Sequence, residues 1–152
     1  DTIWYPADAL RALPPGGFSF LLFPVERPEL FDAVVTEPDG SVREIQVKSR
    51  NASSGRIWGA FKLTGEILNG LLELWRQRDC RDEYFGTLVN AYLEKGHRAR
   101  GVGAGRVYTD VGTLDGYREA IRLIERENRD ASEAKTLHGE GGEACETRTA
   151  GR

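Results

Sequence analysis

Asp110 is the acidic residue best placed for chemistry. In Thr109-Asp110-Val111-Gly112-Thr113 a carboxylate and a glycine end an extended run just ahead of a helix that Thr113 can cap. A carboxylate so placed lies at the C-terminal edge of a sheet, where α/β proteins bind their ligands. It could hold Mg2+, an ion that commonly takes one or two protein carboxylates together with phosphate oxygens. The same residues also make an ordinary capping turn, for which Asp and Thr are favoured. Gly101-Val102-Gly103-Ala104-Gly105 is glycine-rich like a phosphate loop, but it leads into another extended segment, whereas a dinucleotide fingerprint opens a helix directly after a strand. It reads as strand and turn. Arg98, Arg100 and Arg106 with Tyr108 form a local basic and aromatic cluster of the kind that meets single-stranded nucleic acid. The whole chain argues against that partner, with 21 Lys+Arg against 24 Asp+Glu and a net charge of −3. Cys80 and Cys145 lack a C-x-x-C spacing, and His97 and His138 have no ligand-type neighbour at i+3 or i+4. Neither a disulfide framework nor a zinc site is expected, which points to a reducing, cytoplasmic setting.

These residues need elements to position them. Pro6 suits the first turn of a short helix over residues 7–13, which Pro14-Pro15-Gly16-Gly17 stops. Residues 18–23 are a short aromatic and aliphatic run bounded by turn residues, the pattern of a strand covered on both faces. Two β-branched runs, residues 32–37 and 42–47, flank Pro38-Asp39-Gly40-Ser41 and predict a hairpin. After a polar loop, residues 56–63 return as a strand with Gly59 at its centre, a position that lets a backbone or a ligand approach closely. Thr64 caps a helix whose stripe is Ile67, Leu68, Leu71, Leu72 and Trp75, and Asp82 caps another that Gly96 ends. Thr113 caps the last, with Tyr117, Ala120, Ile121 and Ile124 on its apolar side. The expectation is an α/β fold, a mixed sheet flanked by helices.

The chain has 152 residues, 39% of them hydrophobic, enough for one ordinary core. Its longest purely apolar runs, such as Leu21-Leu22-Phe23, fall far short of the ~20 residues of a membrane-spanning helix, so no membrane partner is expected. Methionine is absent and no leader precedes Ile3-Trp4-Tyr5, which reads as an excised segment. Large apolar side chains almost vanish after Glu127. Residues 1–127 are therefore expected to fold, and 128–152 to form a disordered tail.

In order along the chain, these segments resemble the C-terminal half of the sugar nucleotidyltransferases, nucleotide-sugar pyrophosphorylases of the glucose-1-phosphate thymidylyltransferase-like type. The residues Phe23-Pro24-Val25-Glu26-Arg27-Pro28 followed by Asp39-Gly40, Val42, Ile45 and Lys48 are similar to the family's hairpin, which ends in a V-x-x-I-x-E-K-P signature. Gly59 stands where the family has a glycine in the next strand. Gly105-Arg106-Val107-Tyr108-Thr109-Asp110-Val111-Gly112-Thr113 resembles the G-x-x-W-x-D-x-G-T motif, the most specific of the set.

The resemblance implies the C-terminal part of a Rossmann-like nucleotidyltransferase domain, acting on a nucleoside triphosphate and a sugar 1-phosphate to give a nucleotide sugar and pyrophosphate. By motif position Asp110 is catalytic as a ligand of the Mg2+ cofactor, with Asp1 the second ligand. Lys48 binds the sugar phosphate, a point charge suited to that anion, while Gly59 and Gly112 belong to the substrate site. The chain departs from the pattern at Val47, where the family has a Glu for sugar hydroxyls, at Ser49 in place of Pro, and at Tyr108 in place of Trp. The triphosphate-cradling G-G-x-G-T-R loop is not among these 152 residues, so the chain reads as a fragment, inactive by itself. Two further readings stay open: a non-catalytic sugar-phosphate or nucleotide-sugar binding module of the same fold, and a scaffold domain. A homo-oligomer is left open as well.

Overall fold

The structure, a computed structural model, describes residues 2–139. Its centre is β2 (Ser19–Pro24), the strand expected over 18–23, which is buried throughout except at Pro24. Alternation along it sends Phe20 and Leu22 to one face of the sheet and Leu21 and Phe23 to the other. Burying each such side chain is worth roughly 1.5–3 kcal/mol, so this strand anchors two cores at once. β2 pairs antiparallel with β5 (Arg56–Lys62) and parallel with β6 (Arg100–Val102), which makes the sheet mixed as expected. The full order is β4-β3-β5-β2-β6, with β3 (Asp32–Thr36) and β4 (Val42–Val47) as the hairpin. A separate two-stranded sheet joins β1 (Thr2–Tyr5) to β7 (Val107–Asp110).

The hairpin turn forms for the reason its residues suggest. Gly40 takes φ +86°, and Asp39 Oδ1 accepts from the Ser41 amide at 2.8 Å. A bulge between Val35 and Thr36 then shifts the register, so that Asp32 lies opposite Val47. A second bulge falls in β5, where Trp58 pairs with Leu22 and Ala60 with Leu21, leaving Gly59 as the extra residue.

Over the Phe20 face lie α1 (Gly65–Gln77) and α2 (Phe85–Glu94), which bring Leu71, Leu74, Val89 and Tyr92 into the core. Thr64 caps α1 as expected, its Oγ1 accepting from the Ile67 amide at 3.3 Å. The buried pair on α1 is Leu71 and Leu74. Leu68 and Leu72, expected on that face, are exposed, because the helix rolls so that its inner line runs through 71 and 74. Asp82 does not cap α2. Both of its oxygens are taken by Arg78, each at 2.8 Å, and the helix starts at Phe85 with Tyr84 at its N-cap and no side-chain cap. Asn90 of α2 instead grips β4: its Oδ1 accepts from the Ile45 amide and its Nδ2 donates to the Ile45 carbonyl, both at 2.7 Å. On the Phe23 face the second cluster gathers Leu21, Phe23 and Ile57 with Ala9 and Leu13, and partly buried Trp4, Phe31 and Tyr108. Where a helix is expected over 7–13, the chain makes only a short 3-10 turn (Ala9–Ala12).

By its contacts the chain divides into two compact units, Asp1–Thr109 and Asp110–Arg152. The second opens with a self-contained turn and continues as α3 (Leu114–Gly139). Helix thus covers residues 128–139, where the sequence suggests a tail. The segment carries Arg129, Ala131, Glu133, Ala134, Lys135 and Leu137, good helix formers set among weaker ones, and it extends a helix that is already nucleated, so it needs no apolar face of its own. Residues 140–152 of that expected tail lie outside the described residues. Among the described side chains of α3 the buried ones are Ala120 and Leu123, while Tyr117, Ile121 and Ile124 are exposed. Among the described residues no helix is long and apolar enough to cross a membrane.

Candidate functional site

One end of the main sheet concentrates polar groups that the packing does not satisfy. Lys48 follows β4 directly and has φ +41°, a left-handed conformation uncommon for a residue with a side chain. Its amide donates to the Phe31 carbonyl at 3.1 Å. Its ammonium stands 5.0 Å from the centroid of the Tyr84 ring, the residue at the uncapped start of α2. A cation over an aromatic face is held there weakly at an exposed site, by about 0.5–1 kcal/mol, so an anion can draw it away.

Beside Lys48 is Asp32, the first residue of β3. Desolvation pushes its carboxyl above the usual carboxylate range, opposed by the Lys48 backbone, the Lys48 charge and the Trp58 indole. Asp32 Oδ1 and Trp58 Nε1 are nevertheless both buried, and among the described residues neither reaches strict hydrogen-bond geometry with a partner. Native structures leave few such groups, and each one calls for an explanation. Gly86 makes the close packing here feasible. A Cβ on it would lie 2.8 Å from Ile45 and Val47 methyls and 3.1 Å from Asp32 Oδ2.

Gly59 opens onto the opposite face. Its missing Cβ would lie 2.7 Å from Phe23 Cε2 and 2.9 Å from two ring atoms of Tyr108. The groups that approach it are therefore protein rings, with Tyr108 centred 5.5 Å from Phe23 and 5.7 Å from Phe31. Lys48 and Gly59 are held by different clusters.

Asp110 and Gly112 share the turn that opens the second unit. Asp110 Oδ1 accepts from the Gly112 amide at 2.7 Å, and Thr113 Oγ1 caps α3 by accepting from the Gly116 amide at 3.0 Å. Gly116 is needed because a side chain on it would run into the Asp110 carbonyl. The turn uses one carboxylate oxygen and leaves Asp110 exposed, which suits the single-carboxylate mode in which Mg2+ keeps water and phosphate oxygens. Among the described residues no three His, Cys, Asp or Glu gather into a metal cage. Asp1, expected as the second ligand, lies outside the described residues.

Asp32, Trp58, Tyr84 and Gly86 went unmarked by the sequence. The signal for Asp32 exists, since counting back from the hairpin turn brings it near residue 47, but only the bulge sets which face it shares.

The chain matches no family profile and no curated protein. Its fold matches a solved structure from Bacillus anthracis described as a candidate glucose-1-phosphate thymidylyltransferase, in complex with sucrose. The TM-score is 0.60 at 21% identity, over 81% of this chain and 51% of that one. The chain shares that fold and spans about half of that protein's length.

Proposed function

We propose that the chain is the sugar-phosphate side of a nucleotidyltransferase that joins a nucleoside triphosphate to a sugar 1-phosphate. The observation that carries this reading is the fold likeness to a candidate thymidylyltransferase in a chain whose motifs run in the family's order. In the reaction a phosphate oxygen of the sugar 1-phosphate attacks the α-phosphorus in line, a new P–O bond forms, and the α–β bridging bond breaks to release pyrophosphate. Catalysis of this kind is mostly positioning and charge neutralisation. Lys48 takes the sugar phosphate, and its left-handed backbone is the sort of local strain that recurs at ligand clamps. Gly112, in the same turn as Asp110, belongs to the substrate site. Asp110, with Asp1 as second ligand, would hold Mg2+, which would supply charge neutralisation on the phosphates.

Calorimetric titration of the 152-residue chain with glucose 1-phosphate and related sugar 1-phosphates tests the reading. Saturable heat is expected, with affinity lowered about tenfold or more in Lys48→Ala, the scale of one charge-assisted contact. Absence of heat with every sugar 1-phosphate refutes it. A second reading, a binding module without turnover, is favoured by Val47, which offers no carboxylate where the family has one. Mg2+-dependent pyrophosphate release by the chain joined to an N-terminal segment that carries a triphosphate-binding loop, lost in Asp110→Asn, decides for the enzyme.

A further inference from the structure

A groove of about 880 Å3 runs beside α1, lined in part by Glu66, Asn69, Gly70, Glu73, Tyr92 and His97, none of them assigned to the sugar phosphate above. Glu66 and Glu73 are seven residues apart, which in an α-helix puts both on one face, two turns or about 10.5 Å from each other. Neither carboxylate has an ion-pair partner among the described residues. Between them Gly70 leaves the helix surface bare, since a Cβ there would meet nothing within 4 Å. Glycine weakens a helix interior, and no neighbour requires it at this position.

Tyr92 points to a ligand independently of the carboxylates. Its side chain is 8% exposed, with Phe18 edge-on at 6.1 Å and the His97 ring stacked on it at 4.1 Å. Among the described residues its hydroxyl has no hydrogen-bond partner, and it is not one of the polar atoms that the packing seals off, so it opens into the groove. Burial, and then the Glu66 charge, push the phenol above the ordinary tyrosine range, so it stays protonated beside that carboxylate. A carboxylate and a phenol oxygen both accept hydrogen bonds, and an ammonium brings three donors to them. One divalent cation cannot reach two carboxylates across two helical turns, and among the described residues no three His, Cys, Asp or Glu gather around a metal position.

We propose that this groove binds an aliphatic diamine, a ligand of the polyamine class, with one ammonium on Glu66 and the Tyr92 hydroxyl, the other on Glu73, and the methylene chain lying over Gly70.

The test is calorimetric titration of the whole chain at physiological ionic strength with octamethylenediamine, whose extended chain spans two helical turns. Tetramethylenediamine, which is too short, and octylamine, which has one ammonium, serve as comparisons. Saturable heat is expected with octamethylenediamine, and affinities about tenfold lower with the other two, the scale of one charge-assisted contact. In Glu73→Gln the long diamine should fall to the affinity of octylamine. Tyr92→Phe should weaken it severalfold, with a melting curve to show that the variant folds. Gly70→Leu, which favours the helix and fills the gap, should abolish binding without lowering the melting temperature. Glu26→Gln, an exposed carboxylate outside the groove, should leave the affinity unchanged. The proposal is overturned by equal affinity for octamethylenediamine and octylamine, by an equal loss in Glu26→Gln and Glu73→Gln, or by no saturable heat with the unaltered chain. Glucose 1-phosphate binding is read in a separate titration, so the function proposed above stands or falls without this groove.

Discussion

Replacing Gly59 by alanine puts one methyl group where two rings already stand. The added carbon would sit 2.7 Å from Phe23 Cε2 and 2.9 Å from Tyr108 Cδ2 and Cε2, against 3.4–4 Å for ordinary contact. Phe23 is completely buried, with its ring packed on Trp4 and Tyr108, so it has little room to give. Overpacking of this size costs about 1–3 kcal/mol. An opposing gain of roughly 0.5–1 kcal/mol comes from removing a flexible glycine from a strand, since Gly59 does not use the left-handed region and alanine can adopt its backbone. The net expectation is a loss of about 0.5–2 kcal/mol. In urea, with a slope of roughly 2 kcal/mol per M, the midpoint should fall by about 0.3–1 M. The cause is tested by repeating the substitution in a Tyr108→Ala background, where two of the three close contacts are gone and the penalty should shrink by about 0.5–1 kcal/mol. An unchanged or raised midpoint in Gly59→Ala refutes the reasoning, and an equal penalty in both backgrounds refutes the role given to Tyr108.

Asn90→Ala removes two hydrogen bonds at 2.7 Å and should destabilise the chain by about 1–3 kcal/mol in the same urea assay, with Asn90→Asp also destabilising because it can no longer donate to the Ile45 carbonyl. Acid titration should separate two aspartates of opposite sign. Asp82 is held below the usual range by its hydrogen bonds from Arg78, so the stability it adds is present above the unfolded carboxylate value near 3.8 and disappears as the pH falls through its lowered value. Asp82→Asn is therefore less stable than the parent chain at pH 7, and unfolding curves at pH 7, 5, 4 and 3 should show the gap closing only at the acid end. Desolvation raises Asp32, so its charge opposes folding above its raised value and ceases to matter below 3.8. Relative to the parent chain, Asp32→Asn should gain stability as the pH rises from 3 to 7, and a constant difference would contradict the assigned cause.

Local chemistry was legible in the sequence, and register was not. Pro38-Asp39-Gly40-Ser41 declared its hairpin, and Thr64 and Thr113 declared their helices, because a turn or a cap depends on a few neighbouring residues. The bulge at Val35 and Thr36 changes which residue faces Asp32, and a shift of one residue turns every side chain of a strand to the other face. A polar residue opening β3 thus gave no warning that it meets Trp58. Asp82 looked like a cap because its type and place were right; Arg78, one turn earlier, competes for the same oxygens. The Asp110 turn was readable and has the expected local form, whereas the bulge that makes Gly59 the extra residue of β5 emerges only from its pairing with β2.

The grip of Asn90 on Ile45 has a consequence beyond stability. β4 is the last strand on its side of the main sheet, and an outer strand displays peptide groups that can recruit a strand from another molecule. A side-chain amide carries one carbonyl and one N–H2, so Asn90 presents to Ile45 the same acceptor and donor that a neighbouring strand would. The sheet is closed there by an imitation of the next strand supplied from within the chain. Removing the amide would expose an adhesive edge, and the Asn90→Ala protein should show it as concentration-dependent self-association before it shows it as unfolding.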